Sequence, residues 1–372
     1  MSTSKPMYMQ IIEYLKEKIN GKQLLPGQQL PTEMKLATQF GVSRITSKKA
    51  LEELEREGMI YRKRGQGSFV SYTDAKSNST GTNKLIAIVF PYRGVNGWVM
   101  SYINGVMSYL NPAGYYLSVH CTEGKYSIER EFLNQLPANG IKGIIYYPET
   151  SNRNLDLLNS LCMNGYPIVA IDKYFDGLPI SSVVSDNFKG EYMLAEHLIK
   201  QGHRRIAYIA REDIAESTSL RDRYLAYCKA LKDNNIQIDS DIVSTGYLNE
   251  ISNSYSEQKE KEYLKNKIMQ LINGGVTAIL TEHDIEGIKL YKTLSEMGIK
   301  VPKDISIAGF DDMVILEHIS LPLTTVKQDF LEIGRRAACM IVKCIEEGCT
   351  NTKDVVPVEL IIRKTTDFTA AI

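Results

Sequence analysis

The sequence predicts an α/β protein with two parts of different character, a small domain of helices and a hairpin followed by a larger domain of parallel sheets. In the first part, apolar residues recur at helical spacing and then alternate around a glycine-rich turn. From Lys84 onward, short and nearly all-apolar runs alternate with helix-length segments, which is typical of parallel strands covered on both faces. Residues 71–83 between them are small and polar, so we expect a flexible linker there.

Composition excludes several classes of protein. The 372 residues are 43% hydrophobic and 24% charged, and no apolar run approaches the roughly 20 residues of a membrane span. The first residues lack the apolar stretch of a signal peptide, so we expect a cytoplasmic protein. The six cysteines show no CxxC spacing and no neighbouring histidine ligands, and we expect reduced thiols, no metal and no cofactor.

Charge is distributed unevenly although the formal net charge is zero. Residues 1–73 contain 12 lysines and arginines but 7 aspartates and glutamates, which leaves five excess positive charges in this part. A small basic domain joined to a larger acidic one indicates a polyanionic partner for the first domain only.

The small domain is predicted in order from its capping residues and spacing. Ile11, Leu15 and Ile19 fall on one face of a first helix. Thr32 is placed to cap a second helix that ends at Gly41, and Ser43 to cap a third that runs to about Glu57. The segment MIYRKR-GQG-SFVSY then predicts a β-hairpin.

The third helix has a buried face and an unusual exposed one. Ser47, Ala50, Leu51 and Leu54 form one stripe at 100° per residue. The opposite side and the first turn carry short, cationic and hydrogen-bonding residues, namely Arg44, Ile45, Thr46, Lys48 and Lys49. Such residues suit base edges and phosphates in a major groove. The alternative is a solvated basic face, but the hairpin tip Arg62-Lys63-Arg64-Gly65-Gln66-Gly67 adds another cationic element that favours DNA.

Residues 6–70 resemble the winged helix-turn-helix of the GntR family. The resemblance is carried by Leu30-Pro31-Thr32-Glu33, Phe40-Gly41-Val42-Ser43-Arg44, Ala50-Leu51 and Gly65-x-Gly67-x-x-Phe69-Val70. It implies that Glu33, Arg44, Thr46 and Lys48 face the major groove and that Arg64 to Gly67 lie in the wing. Ser47 departs from the apolar residue usual in the family, which predicts slightly weaker packing of the third helix. The full candidate set for DNA binding is Glu33, Ser43, Arg44, Ile45, Thr46, Lys48, Lys49, Arg64, Gly65, Gln66 and Gly67.

The remaining residues, 84–372, resemble the sensor domain of LacI-family repressors. The matching stretches are Gly202-His203-Arg204-Arg205-Ile206-Ala207, Val301-Pro302-x-Asp304 to Asp312, and Leu323-Thr324-Thr325-Val326. The resemblance implies a periplasmic-binding-protein-like (type I) domain with two lobes, a first of about 84–185 and 313–325 and a second of about 186–312 and 326–372. Crossovers are expected near Ser185-Asp186, after Asp312 and near Thr325-Val326.

Candidate ligand-binding residues follow the predicted strands or match the family. Arg223 and Asp311 match the sugar-binding arginine and aspartate of the family, and a surface ion pair and a helix cap are their alternatives. Sugars are bound by planar charged groups and an aromatic ring. On that ground we add Asp186, Lys173, His283, Tyr92, Arg93 and Trp98. Asp186 has a hinge hydrogen bond as its alternative, and His283 stands where the family commonly has asparagine.

Together these observations predict a homodimeric transcription repressor that reads a pseudo-palindromic operator in double-stranded DNA and answers to a small sugar. The pairing of a GntR-type reader with a LacI-type sensor is similar to the arabinose repressors of Gram-positive bacteria, which implies L-arabinose as the effector. Another sugar, or an activator in place of a repressor, remains the alternative. An enzyme is not expected, because the sequence shows no catalytic triad, metal cluster or Walker-type loop. A secreted transport protein is disfavoured by the missing signal peptide.

Overall fold

A computed structural model describes residues 6–21, 23–25, 27–57, 59–63, 67–70, 84–91, 97–251 and 256–366. The chain divides into two compact units, Met1–Asn83 and Lys84–Ile372. The predicted linker, 71–83, lies outside the described residues. Within the described ranges, no helix is both long and apolar enough to cross a membrane.

The described part of the first unit has three helices and an antiparallel hairpin, as predicted. These are α1 (Met7–Asn20), α2 (Glu33–Phe40), α3 (Arg44–Arg56), β1 (Ile60–Lys63) and β2 (Gly67–Val70). The Thr32 hydroxyl accepts the Lys35 N–H and the Ser43 hydroxyl accepts the Thr46 N–H, so both predicted caps are confirmed. The helix α2 ends at Gly41, whose φ of 64° lies in the left-handed region.

The second unit begins with a lobe built on a parallel sheet. Its strands are β3 (Leu85–Phe90), β4 (Tyr116–Cys121), β5 (Gly143–Tyr146), β6 (Ile168–Ile171), β7 (Ser181–Ser185) and β13 (Lys353–Val356), in the order β13-β7-β6-β5-β3-β4. The helices α4 (Gly97–Leu110) and α13 (Phe330–Glu347) cover one face, and α5 (Tyr126–Ala138) and α6 (Leu155–Met163) cover the other. The four inner strands, β3, β5, β6 and β7, bury nearly every side chain because both faces of the sheet are covered.

The second lobe is built on another parallel sheet. Its strands are β8 (Ile206–Ile209), β9 (Val243–Ser244), β10 (Ala278–Thr281) and β11 (Ser306–Ala308), in the order β11-β10-β8-β9. Its helices are α7 (Asn187–Lys200), α8 (Thr218–Asp233), α9 (Tyr247–Ile251), α10 (Glu257–Asn273), α11 (Asp284–Glu296) and α12 (Ile315–His318). A short antiparallel pair, β12 (Thr325–Lys327) with β14 (Glu359–Ile361), lies beside it. The apolar runs predicted as strands each contain one, which confirms the α/β class; they are LIAIVF (85–90), 143–147, 167–172, 205–210, 278–282 and 305–312.

The predicted division of the chain between the lobes is wrong in its C-terminal third. Residues 326–372 were assigned to the second lobe, yet α13 packs in the core of the first and β13 pairs with β7. Residues 313–325 were assigned to the first lobe, yet Leu316, Leu321 and Leu323 lie in the core of the second. The apolar face of an amphipathic helix such as α13 predicts that the helix packs on a sheet, but it does not predict which sheet.

The crossovers move accordingly. The chain passes from the first lobe to the second at 185–187, returns at 327–330, and passes back at 356–358. The second and third crossovers predicted after Asp312 and near Thr325-Val326 are therefore also wrong. Gln328 and Phe330 lie at the second crossover, 327–330, and both line the cavity between the lobes.

Candidate functional site

The exposed N-terminal turn of α3 holds most of the candidate DNA-binding side chains. The Arg44 side chain is 72% exposed, and its Nε lies 3.0 Å from Glu33 Oε2 on α2. Ile45 is 79% exposed, although it is a large apolar residue on a helix that packs elsewhere. Ser43 and Thr46 are joined by a 2.9 Å hydrogen bond between their hydroxyl groups. An exposed apolar residue beside an oriented arginine suits base contacts in a groove.

Glu33 links the helix–turn–helix to the hairpin. Besides Arg44, its carboxylate lies 3.5 Å from Arg62 Nη1 of β1. The Arg62 Nε in turn lies 3.1 Å from Glu55 Oε2 on α3. Because Glu33 holds the Arg44 guanidinium on one side, this largely exposed side chain has restricted freedom.

Ser47 replaces the expected apolar contact with a hydrogen bond. It is fully buried, and its hydroxyl donates to the Glu33 carbonyl at 2.7 Å. This bond ties α3 to the start of α2, next to the Arg44 and Glu33 pair. The sequence-based expectation of weaker packing at this position therefore overlooked a specific polar contact.

The other cationic candidates are already engaged by neighbours. Lys48 Nζ lies 3.6 Å from Glu52 Oε1, one turn along α3. Lys49 Nζ lies 4.3 Å from the centre of the Tyr8 ring on α1. Gly67 has a φ of 110°, and a Cβ there would lie 2.8 Å from the Gln29 amide nitrogen. The predicted wing residues Arg64, Gly65 and Gln66 lie outside the described residues.

In the second unit, a cavity of about 310 Å³ lies at the carboxyl ends of strands from both lobes. It is lined by Trp98, Tyr147, Asp172, Lys173, Arg211, Glu212, Ser217, Ser219, Leu220, Arg223, His283, Ile285, Lys289, Asp311, Met313, Gln328 and Phe330. Its volume falls at the lower end of the range for small-molecule sites, which is about 300–1,000 Å³. The lining combines charged planar groups with aromatic rings, the chemistry that binds polyhydroxylated ligands.

Arg223 projects from α8 into this cavity and is held by the protein on two sides. Its Nε donates to Asn187 Oδ1 at 2.8 Å, and its Nη1 donates to the Glu282 carbonyl at 2.5 Å. The guanidinium stacks on Phe310, with 3.7 Å between its Cζ and the ring centre. The side chain is 4% exposed, so the orientation of the guanidinium is fixed before any ligand binds.

Asp311 faces Arg223 across a gap rather than forming a close ion pair. Its Oδ1 lies 3.7 Å from Arg223 Nη2 and accepts a 2.5 Å hydrogen bond from Gln328 Nε2. Burial raises the pKa of Asp311, against the opposing effects of Arg223 and His283. Its φ of 115° is a strained conformation for a residue with a side chain. Such strain is characteristic of positions where a side chain is aimed at a ligand.

The first lobe contributes a buried ion pair. Lys173 Nζ lies 2.9 Å from Asp172 Oδ2, and both side chains are less than 10% exposed. The same ammonium lies 4.7 Å from the centre of the Tyr147 ring. Burial lowers the pKa of Lys173, but Asp172 and Glu212 outweigh that effect and the net shift is upward. Lys173 is therefore charged and available as a hydrogen-bond donor at the wall of the cavity.

Trp98 forms the aromatic part of the same wall. Its ring centre lies 5.6 Å from that of Tyr147 and 6.3 Å from that of Phe330. An indole face supported in this way suits the apolar C–H face of a sugar. The neighbouring candidates Tyr92 and Arg93 lie outside the described residues.

Asp186 does not line the cavity. Its side chain accepts the Lys189 N–H at 3.0 Å and caps α7 at the first crossover. Its position after a strand-like run predicts a ligand contact, but that run, β7, leads into a helix whose first turn binds the carboxylate. The geometry therefore contradicts the predicted ligand contact and supports the alternative, a hydrogen bond at the hinge.

Sequence reasoning missed several lining residues. Arg211 and Glu212 follow β8 in the same way that Lys173 follows β6, so the strand-end rule would have found them. Gln328 and Phe330 follow β12 and were missed because the crossover was misplaced. Ser217 and Ser219 lie at the start of α8, and no signal in the sequence marks them.

The cavity is close to electrically neutral because each cation in its wall has an acidic neighbour. Arg211 Nε lies 3.0 Å from Glu260 Oε1, and Lys289 Nζ lies 2.9 Å from the same oxygen. Arg223 faces Asp311, and Lys173 is paired with Asp172. A ligand with many hydroxyl groups and no net charge matches such a wall better than an anion does.

Comparison with known proteins identifies both units. Residues 7–70 match the gntR family of bacterial regulatory proteins, and residues 195–366 match a periplasmic binding protein-like domain. The chain is 30% identical over 367 residues to an arabinose metabolism transcriptional repressor of Geobacillus stearothermophilus. The aligned region covers 97% of this chain and 98% of that repressor.

Solved structures agree on the fold of the second unit. The transcription regulator CcpA of Lactococcus lactis has a TM-score of 0.66 at 22% identity, covering 76% of this chain and 99% of that one. A putative transcriptional regulator LacI from Bacillus cereus subsp. cytotoxis has a TM-score of 0.64 at 27% identity, covering 76% and 98% respectively. Together with the two family matches, these likenesses confirm the predicted GntR-type and periplasmic-binding-protein-like architecture.

Proposed function

This chain belongs to the family of transcriptional repressors that join a gntR-type DNA-binding domain to a periplasmic-binding-protein-like domain, and from that membership we propose that a small neutral sugar controls its affinity for an operator. L-Arabinose is the effector we favour, because the curated relatives that match along nearly the whole chain are arabinose metabolism repressors. The cytoplasm is the compartment in which such a protein would meet both DNA and sugar.

The observation that carries the proposal is the pairing of Arg223 with Asp311 across 3.7 Å in a neutral, partly aromatic cavity. Two vicinal hydroxyl groups of a sugar have the right spacing to accept from the guanidinium and donate to the carboxylate. Lys173 and His283 add donors on either side, and Trp98 supplies an apolar face. A neutral pentose satisfies all of these groups without leaving a charge unpaired.

The first test is a thermal-shift screen of the full chain against pentoses and hexoses. We expect stabilisation by L-arabinose, because a ligand that binds only the folded protein raises its melting temperature by mass action. A chain that responds to another pentose and ignores L-arabinose would reassign the effector. A chain that responds to no sugar would remove the proposed role of the cavity.

The DNA-binding role is proposed for the exposed turn of α3 and its neighbours, with Arg44 reading a base and Lys48 contacting a phosphate. We propose a homodimer on a pseudo-palindromic site, since one small domain offers too few contacts for specific affinity. In this proposal the sugar changes the arrangement of the dimer and thereby the spacing of the two DNA-binding domains.

The spacing hypothesis is tested with two duplexes, one carrying the full operator and one carrying a single half-site. L-Arabinose is expected to weaken binding to the full operator and to leave binding to the half-site unchanged. Equal weakening on both duplexes would contradict control through spacing and indicate a direct effect on each DNA-binding domain.

A further inference from the structure

Two adjacent residues at the carboxyl end of β10, Glu282 and His283, form a contact that the proposed sugar site does not explain. The Glu282 side chain is completely buried, and its Oε2 accepts the Glu212 N–H at 3.1 Å. The other carboxylate oxygen, Oε1, lies 3.4 Å from His283 Nε2 and has no hydrogen-bond partner in the described residues. This separation exceeds the usual N–H···O distance of about 2.7–3.2 Å. The two groups are close but not locked together.

The position of the His283 proton follows from its role in α11. Its Nδ1 accepts the Glu286 N–H at 3.2 Å and thereby caps the helix. A nitrogen that accepts a hydrogen bond carries no proton, so in the neutral ring the single proton is on Nε2. The side chain is 32% exposed and lines the cavity. The Nε2–H therefore has two acceptors to choose between, the buried Glu282 carboxylate and a ligand hydroxyl group.

We propose that Glu282 is a positioning residue that controls whether His283 donates its Nε2–H to the sugar, so that effector binding is coupled to uptake of one proton. The inference rests on the proposed function and assigns a role to a residue that does not touch the ligand. When the Glu282 carboxyl group is protonated at Oε1, it no longer competes for the histidine Nε2–H. His283 then donates this hydrogen bond to the sugar. When the carboxyl group is ionised, it competes with the sugar.

The charges around the pair place the exchanged proton on Glu282. Burial raises the pKa of Glu282 to about 7, with His283 opposing the shift and Glu212 and Glu286 adding to it. Burial lowers the pKa of His283, but Glu282 and Asp311 outweigh it and the net shift is upward. A second ring proton, however, would have to occupy Nδ1 and break the helix cap. The exchanged proton can instead bind the Glu282 Oε1 that faces Nε2, since this oxygen has no hydrogen-bond partner in the described residues.

Other charged groups face the pair and must be separated from it by experiment. Arg223 donates to the backbone carbonyl of Glu282, and Lys289 lies 3.6 Å from Glu286. Asp284 follows directly in the chain, and burial raises its pKa to about 8, with Asp311 adding to the shift. Asp284 therefore also titrates near neutrality, and only variants of the pair itself can assign a pH effect to it.

The measurement is calorimetric titration of the full chain with L-arabinose between pH 6 and pH 8. Because the protonated carboxyl group leaves the Nε2–H to the sugar, we expect tighter binding at pH 6. The expected change in Kd is about threefold to tenfold, the value of one hydrogen bond. A Kd that is equal at both pH values would overturn the proposal while leaving the proposed function intact.

Two conservative variants test the assignment. In Glu282→Gln the carbonyl oxygen still accepts from Glu212, and an NH₂ group faces His283 as the protonated acid does. In His283→Asn the amide oxygen still caps α11, and its nitrogen has two protons, so nothing competes for a single one. Both variants should bind L-arabinose with a Kd that does not change between pH 6 and pH 8, and Glu282→Gln, whose side chain does not touch the ligand, should do so near the value of the wild-type chain at pH 6. A Kd that still changes with pH in both variants would assign the proton to another group, such as Asp284, and overturn the proposal.

A readout without sugar distinguishes failure of this inference from failure of the proposed function. In the chain labelled with ¹⁵N-histidine, the signals of His283 are those missing from the spectrum of His283→Asn. Between pH 6 and pH 8 they should report a protonated Nε2 and an unprotonated Nδ1. A doubly protonated ring at pH 6 would overturn the inference, whether or not any sugar binds. Absence of L-arabinose binding at every pH, with the expected tautomer, would instead reject the proposed effector.

Discussion

Replacement of Arg223 by lysine is the perturbation whose effect follows most directly from the structure. The guanidinium is 4% exposed, donates to Asn187 and to the Glu282 carbonyl, and faces Asp311. A lysine retains the charge but not the planar fork, so it cannot hold these contacts and also donate to a sugar in the same geometry. Because the site is buried, solvent screening does not reduce the loss.

The magnitude follows from the hydrogen bonds that are given up. One hydrogen bond to a charged group contributes about 1.5–3 kcal/mol. We expect Arg223→Lys to lose one such bond to the sugar and part of the orientation of the remaining contacts, or about 2–3 kcal/mol in total. At 1.4 kcal/mol per factor of ten, this raises the Kd for L-arabinose by about 30- to 150-fold.

The assay is calorimetry with L-arabinose, accompanied by operator binding with and without the sugar. Lys229→Arg is the matched control, since Lys229 lies on the same helix but is 52% exposed and pairs with Asp233 one turn along that helix, within the same lobe. That control should stay within about threefold of the wild-type Kd, because exposed ion pairs contribute little. Operator affinity without sugar should be the same in all three proteins. A Kd for Arg223→Lys within threefold of the wild-type value would refute the reasoning.

Three further predictions follow from other parts of the chain. Ser47→Ala should destabilise the first unit by about 1 kcal/mol in thermal unfolding, because the hydrogen bond from the buried Ser47 hydroxyl to the Glu33 carbonyl is lost; an unchanged melting temperature would contradict this. Burial raises the pKa of Glu191 to about 8, against the opposing effect of Arg223, while the unfolded side chain ionises near about 4.3. The wild-type chain therefore loses stability as pH rises between these values, and Glu191→Gln should gain about 3 kcal/mol more relative to it at pH 8 than at pH 5, measured by denaturant unfolding at both pH values. Lys48→Ala should reduce the salt dependence of operator binding by about one unit of slope, measured by titration at several salt concentrations, and an unchanged slope would show that Lys48 does not contact a phosphate.

The sequence predicted the local elements well because their signals are local. The run LIAIVF became β3 with the same bounds, and the caps at Thr32 and Ser43 formed as expected. The assignment of α13 to a lobe failed because it depends on pairing between β13 and β7, more than 160 positions apart in the chain. Nothing in an amphipathic helix distinguishes one parallel sheet from another.

The prediction of the candidate site was also only partly correct. Lys173 follows a strand of the first lobe, and His283 and Asp311 follow strands of the second, and the structure brings all three to one cavity with Arg223 and Trp98. Asp186 also follows a strand, but the next helix begins one residue later and takes the carboxylate as its cap. Helix capping does not by itself exclude a ligand contact, because His283 caps α11 and still lines the cavity.

Contacts between the lobes bear on how a sugar can control the protein. The Ser151 N–H of the first lobe donates to the Glu216 carbonyl of the second at 2.7 Å, and the Tyr174 N–H donates to the Thr218 hydroxyl at 2.9 Å. These bonds join protein atoms only, so they stabilise the closed arrangement by about 0.5–1.5 kcal/mol each irrespective of a ligand.

A sugar held by Arg223 and Asp311 on one lobe and Lys173 on the other adds to this existing preference. Shifting a two-state equilibrium from 1:99 to 99:1 requires about 5.5 kcal/mol of differential affinity. Two charged hydrogen bonds that form only when both lobes reach the ligand supply most of that amount. Under the proposed function, the effector acts by completing a closure that these interlobe hydrogen bonds already support in part. For that reason, weakening the bond between Tyr174 and Thr218 should raise the sugar concentration needed for release of the operator, although neither residue lines the cavity.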